Sequence, residues 1–172
     1  LSVSVGKKSI INNLNLEISK GKKVAIMGPN GSGKSTLSNI ISGKPGYDIK
    51  EGSIKFEDTN ILDLGPDDRA ALGIYMAFQY PIEIPGIANS SFLRTAINSI
   101  RKKNNDEAVN TRSFLEEINQ IADKLGLDKT FLSRDMNKGF SGGEKKKNEI
   151  LQLLLLKPKL CILDEIDSGL DI

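Results

Sequence analysis

The sequence predicts an α/β fold, and three observations support that class. A buried-type apolar run, Val24-Ala25-Ile26-Met27, leads through a glycine-rich loop into helix-compatible spacing over residues 34–41, giving strand, loop and helix in that order. A second apolar run, Leu160-Cys161-Ile162-Leu163, ends in two carboxylates, Asp164 and Glu165. Between these runs, residues 80–139 lose nearly all strand signal and read as a helical insert. With 172 residues, 38% of them hydrophobic, the chain is long enough for one domain with a sizeable core and too short for two full ones.

The elements follow in order. Apolar alternation over residues 1–5 and 14–18 reads as two strands flanking the Gly6-Lys7-Lys8 turn. Gly43, Pro45 and Gly46 stop the helix that opens at Lys34. Short strands are expected over residues 53–56 and 73–78, with Pro66-Asp67-Asp68 as an acidic helix start between them. The proline-punctuated stretch Pro81-Ile82-Glu83-Ile84-Pro85-Gly86-Ile87 opens the insert, whose helices are expected over 91–100 and 113–125, with a polar loop at Asn104-Asn105-Asp106. In the second helix, Leu115, Ile118, Ala122 and Leu125 recur at helical spacing as a packing stripe. A last helix over 141–156 is stopped by Pro158. The chain therefore divides into residues 1–79, the β subdomain and phosphate-loop core; 80–140, the helical insert; and 141–172, which returns to the core.

Composition removes several functions. The chain has 24 basic and 22 acidic residues, a net charge of +2 with only five Arg, which is no electrostatic footprint for nucleic acid. It has no His and one Cys, which excludes a serine-protease-like triad, a zinc-hydrolase site and an internal disulfide. No apolar run approaches the roughly 20 residues that span a bilayer, and no secretory signal pattern opens the chain, so an intracellular protein without membrane insertion is expected. The first residue is Leu1 rather than Met, and residue 172 follows shortly after a patterned strand, so further sequence is expected beyond it.

Chemistry concentrates in two motifs. Gly28-Pro29-Asn30-Gly31-Ser32-Gly33-Lys34-Ser35 matches G-x-x-x-x-G-K-[ST] between an expected strand and an expected helix. Its glycines let backbone N–H groups wrap phosphates, the helix start adds positive potential, Lys34 reaches the β- and γ-phosphates, and Ser35 ligates Mg2+, with Thr36 a further phosphate contact. An unliganded glycine-rich turn explains the glycines but not Lys34 and Ser35 at those offsets. At the end of the second run, Asp164 would hold Mg2+ through water and Glu165 would orient or activate the attacking water. Cys161 lies inside the strand and reads as a small hydrophobe. Ser141-Gly142-Gly143-Glu144 has the form of a capping box, and a helix start with a serine and two glycines also suits a γ-phosphate.

Taken together, these motifs resemble those of ABC-type ATPases. Ser141-Gly142-Gly143-Glu144 is similar to their signature, with Glu where Gln is commoner; Gln79 resembles the Q-loop glutamine, and Ser168-Gly169-Leu170-Asp171 the D-loop. The resemblance implies a RecA-like core carrying an antiparallel β subdomain and a helical subdomain, with its C-terminal part beyond this chain. It also implies ATP and Mg2+ as cofactors, Gln79 linking metal and water to partner contacts, and a head-to-tail homodimer in which Ser141, Gly142 and Gly143 face the other subunit's nucleotide. The family's switch histidine would lie beyond Asp171. Val5 stands where an adenine-stacking aromatic is common, which leaves Gly6 and Lys7 or Lys8 along that edge.

Within that superfamily, residues 76–86, 139–152 and 161–172 resemble the SufC family of SUF iron-sulfur cluster assembly. That resemblance implies an ATP-driven motor acting on a scaffold of SufB and SufD, in a bacterial cytoplasm or a plastid. Ile82, Ile84 and Ile87 are the expected docking surface, against the alternative of an ordered loop packing on its own domain. Two other readings are an ATPase subunit of a membrane transporter and a nucleotide-gated scaffold without useful turnover. The stretch after Gln79 weighs against the first, and Glu165 against the second.

Overall fold

Antiparallel pairing organises the start of the chain. Strands β1 (Ser2–Val5) and β2 (Lys8–Ile11) form a hairpin with Val5 opposite Lys8. Gly6 occupies the first central position of its two-residue turn at φ 56°, a conformation such turns favour and side chains resist. Strand β3 (Asp48–Glu51) pairs on the other edge of β1, giving the order β2-β1-β3. Helix α1 (Lys34–Ser42) lays Leu37 and Ile40 against Val3 and Ile11, and Tyr47, Ile49 and Ile54 complete this core. A small hairpin, β4 (Lys55–Phe56) with β5 (Thr59–Asn60), and helix α2 (Pro66–Leu72) follow.

The computed structural model describes residues 1–78 and 80–164, which divide into two units, Leu1–Arg69 and Ala70–Ile172. In the first, Arg69 is 5% exposed and closes the C-terminal end of α1. Its guanidinium donates to the carbonyls of Ile40, of Ile41 at 3.2 Å, of Leu62 at 3.3 Å and of Leu64 at 2.9 Å. A cation at a helix C-terminus answers both the orphan carbonyls and the dipole. Burial holds its pKa below the ordinary arginine value.

The second unit combines a parallel strand pair with a helical cluster. Strand β6 (Ile74–Ala77) runs parallel to β9 (Leu160–Leu163), in register from Ile74 opposite Leu160 to Ala77 opposite Leu163. Helices α3 (Asn89–Lys103), α4 (Thr111–Lys124) and α5 (Gly142–Leu156) surround a core that includes Leu93, Phe114, Ile118, Phe131, Phe140 and Leu151. Asn110 caps α4, its side chain accepting from the N–H groups of Arg112 and Ser113. A short antiparallel pair, β7 (Ile84–Ala88) with β8 (Asp135–Met136), closes the two ends of the insert.

Several local expectations need correction. Residues 24–27 form no strand, and Val24, Ile26 and Met27 are 50%, 49% and 89% exposed. A fully apolar parallel strand depends on neighbours, and no described strand of its own unit pairs with these residues. The second strand of the first hairpin is residues 8–11 rather than 14–18, because the two-residue turn returns the chain at once. Asn13 at φ 47° then turns it, leaving only Leu14 paired with Leu1 through reciprocal backbone bonds of 2.9 and 2.8 Å. The buried face of α4 is Phe114, Ile118, Ile121 and Ala122, while Leu115 is exposed. The pair β7–β8 went unforeseen because its partners lie far apart in sequence and β7 contains Pro85, which the register irregularity between Ile84 and Ala88 accommodates.

One half-buried acid ties α5 to β6. Tyr75 donates its hydroxyl hydrogen to Glu149 at 3.0 Å, and burial raises the pKa of both groups. Since the folded state holds the Glu149 proton more tightly than the unfolded chain, this group's contribution to stability is complete below its ordinary value of 4.5 and is lost as pH rises through the raised native value. Glu149→Gln removes that titration. Urea unfolding should therefore show the variant gaining on the parent as pH rises above about 4.5; a stability difference that stays constant as pH rises from there refutes the assignment.

Candidate nucleotide-binding site

The phosphate loop leads directly into α1. Gly31 and Gly33 hold φ of 80° and 98°, so the loop's backbone path depends on these two glycines, while a Cβ on Gly28 would displace the Ser32 hydroxyl, 2.8 Å away. Gly33 is the N-cap and supplies no side-chain hydrogen bond. The Lys34 ammonium folds back over the loop, donating to the carbonyls of Gly28 at 2.8 Å and Pro29 at 3.1 Å. Both bonds are exposed. The Ser32 N–H meets Pro29 O at 3.2 Å, Asn30 and Ser35 are exposed, and Thr36 is half-buried. A lysine held on neutral carbonyls at an uncapped helix start is a donor set suited to phosphate oxygens, which offer the ammonium full negative charge.

The second unit carries the other motifs. Ser141 is the N-cap of α5, with Gly142 and Gly143 exposed in the first turn. The Glu144 N–H donates to Ser141 Oγ at 3.2 Å, and the Ser141 N–H donates to Glu144 Oε2 at 2.8 Å, so the capping box is complete. The hydroxyl accepts in that bond and keeps its own hydrogen to donate outward. Both expectations for Ser141, cap and anion contact, are therefore chemically compatible.

Glu144 also accepts from Arg134, whose guanidinium lies 4.5 Å from the Phe140 ring centroid and donates to Gly139 O at 3.2 Å. The Ser141 N–H first, then Arg134, hold the Glu144 carboxyl below its ordinary pKa. Arg134 thus balances the charge that Glu brings where Gln is commoner. Nothing in the local sequence pointed to it, because it lies ten residues from its partner. Phe131, Arg134, Ser141, Glu144 and Lys147 are among the residues lining a cavity of about 360 Å³ beside this helix start.

Asp164 sits at the carboxyl end of the parallel pair. Its N–H approaches Ala77 O at 3.5 Å, one step beyond the register of β6 and β9. Ligands of α/β sheets gather at that end of parallel strands. Gln79, Glu165 and the Ser168-Gly169-Leu170-Asp171 stretch lie outside the described residues. Cys161 is half-buried opposite Tyr75, and burial pushes its thiol pKa up, which keeps it protonated and suits the small-hydrophobe reading. Val5, 44% exposed, flanks the Gly6 turn, and Lys7 and Lys8 are exposed beside it.

Comparison with known proteins identifies the family. A family model described as ABC transporter matches residues 11–168. The chain is 54% identical over 172 residues to a probable ATP-dependent transporter ycf16 of Antithamnion sp., covering 100% of this chain and 68% of that relative. It is 50% identical over 172 residues to a probable ABC transporter ATP-binding protein of Streptococcus pyogenes serotype M18, covering 66% of that relative.

Among solved structures, the MJ0796 cassette dimer bound to ADP and Pi gives a TM-score of 0.77 at 24% identity over 99% of this chain and 72% of that one, a likeness of fold. The ADP conformation of the MJ1267 cassette gives 0.71 at 27% identity over 99% and 70%. The phosphate loop, the signature helix and the strand-end carboxylate stand in one chain that the family model covers almost end to end: this chain belongs to the ABC transporter family and is an ATPase cassette that binds ATP with Mg2+ and hydrolyses it.

Proposed function

We propose that this cassette is a SufC-like motor subunit, using ATP to change the shape of a SufB and SufD scaffold during iron-sulfur cluster assembly. The observation that carries the reading is the segment after Gln79, whose sequence resembles the SufC family and whose apolar side chains face outward. Tyr80 is 81% and Ile82 71% exposed, and Phe78 and Ile87 are also exposed. Ile84 is half-buried in β7 and so contributes less than its neighbours to such a surface. Outward-facing aromatic and aliphatic side chains on an ordered segment suit a protein partner.

In this reading, the backbone N–H groups of residues 28–36 other than Pro29 wrap the phosphates, and Lys34 exchanges the Gly28 and Pro29 carbonyls for β- and γ-oxygens. Ser35 in the first unit, and Gln79 and Asp164 in the second, are the residues that would hold Mg2+, which would supply positive charge to the phosphates. Glu165 accepts the proton of the attacking water. Ser141, Gly142 and Gly143 face the nucleotide of a second copy, so that ATP joins two chains head to tail. The compartment is a bacterial cytoplasm or a plastid stroma; among the described residues no helix is long and apolar enough to cross a membrane.

A second reading has support in the names of the relatives, which describe a transporter and a transporter ATP-binding protein. There, Tyr80 and Ile82 would meet a membrane subunit instead.

Three outcomes test these assignments. Lys34→Ala should abolish ATP binding in equilibrium titration, and equal affinity in variant and parent sinks the role given to the loop. Glu165→Gln should retain ATP binding and accumulate a dimer in size-exclusion chromatography with ATP; a monomer under those conditions rejects Glu165 as the group that ends the cycle. Ile82→Asp should leave ATP affinity intact and cut scaffold-stimulated ATPase, with SufB and SufD as the probe and Glu165→Gln as the blank. Undiminished stimulation removes this surface from the interface, and no stimulation of the parent protein favours the transporter reading.

A further inference from the structure

Two of the four buried residues of α5 are amides, Asn148 and Gln152, on a stripe otherwise made by Leu151 and Leu155. Asn148 is fully buried, as is Asn89 at the start of α3, and Asn137 in the turn after β8 is 2% exposed. The three form one chain. Asn89 Nδ2 donates to Asn148 Oδ1 at 2.7 Å, Asn148 Nδ2 to Asn137 Oδ1 at 2.9 Å, and Asn137 Nδ2 to the backbone carbonyl of Ile82 at 2.9 Å.

The direction of this chain has one physical origin. The Ile82 carbonyl can only accept, so Asn137 must turn its NH2 group toward it, and each amide behind must follow. The aligned dipoles reinforce one another in a dry interior. At the far end the same polarity leaves Asn89 Oδ1 buried without a hydrogen-bond partner among the described residues. Packing alone gives no reason to keep such an orphan, since apolar side chains of similar shape would fill the space without it.

A second set of contacts runs along the same side. Ser141, Lys145 and Asn148 share one helical face, at spacings of four and three residues. Lys145 Nζ meets Glu83 Oε1 at 3.0 Å. The Gly86 N–H donates to Asp135 Oδ2 at 3.0 Å and the Asn89 N–H to Arg134 O at 2.9 Å, with Arg134 in turn holding Glu144.

We propose that Asn89, Asn137 and Asn148 are positioning residues that fix the rotation of α5 about its axis against residues 82–89, so that the exposed surface at Tyr80 and Ile82 and the Ser141 end of α5 move as one body. Apolar contacts slide, whereas a directional amide chain accepts one azimuth. The inference rests on the proposed function only for the identity of the partner at Tyr80 and Ile82; the mechanical link is a property of this chain alone.

The test uses the full chain and no scaffold, so a failure to bind SufB and SufD leaves it standing. Asn148→Leu keeps side-chain size and removes the link. Amide hydrogen exchange should then quicken at least tenfold at Gly86, Asn89, Ser141 and Glu144 together, beyond what the loss of global stability to urea from the stranded Asn89 and Asn137 amides accounts for. ATPase kcat should fall at least fivefold with KM for ATP unchanged. Asn137→Gly provides a second variant, because φ of 59° at this position suits glycine, and the same pattern is expected. Protection retained at Ser141 and Glu144, or lost across the whole unit in proportion to global stability, overturns the proposal, as does an unchanged kcat.

Discussion

A helix that starts on a glycine has no side chain to cap it, and α1 starts on Gly33. That constraint shapes the first unit. The loop that delivers the chain to Gly33 needs left-handed glycines to bring its backbone close, and Lys34 donates to the loop's own carbonyls at Gly28 and Pro29. The opposite end of the same helix is treated in the opposite way: Arg69 is buried there, spending its donors on four carbonyls. The protein thus satisfies the carboxyl end of α1 from within and leaves its amino end without a side-chain cap.

Helix α5 solves the same problem differently. Its start is capped by Ser141 and Glu144, and the acid is balanced by Arg134 stacked on Phe140. A satisfied cap need not compete with an anion, because the serine hydroxyl accepts in the box and still has a hydrogen to donate. Further along, α5 is tied to β6 through Glu149 and Tyr75, and to the insert through its asparagines. Both ties involve polar groups inside apolar surroundings, which cost stability unless met by partners in good geometry. They confer direction in return, and that direction sets how α5 presents its Ser141 end.

Legibility followed the range of the interactions. The helix at Lys34, the strands around residues 74–77 and 160–163, and the capping box at Ser141 are encoded within a few residues, by glycine placement, apolar runs and the spacing of serine to glutamate. The stripe of α4 was legible as a stripe but centred one residue off, since Phe114 and Ile121, not Leu115, face the core. The pair β7–β8 joins residues about fifty apart through a proline-containing strand, and no local pattern announces it. Arg134 and the asparagine chain were invisible for the same reason: an asparagine reads as a turn or surface residue until its neighbours are known.

The sequence by itself determined the chemistry on offer: a phosphate loop with its lysine and serine, a strand ending in carboxylates, and a serine-glycine helix start, because each depends on residue type at fixed local spacing. Tertiary structure decided which faces are buried and which polar groups meet. It put Ile82 outside while drawing its carbonyl to Asn137, placed a cation beneath Glu144, and left residues 24–27 outside any described strand. Hydrogen bonds between distant side chains and strand pairing across long insertions depend on the path of the whole chain, and no window of sequence contains that path.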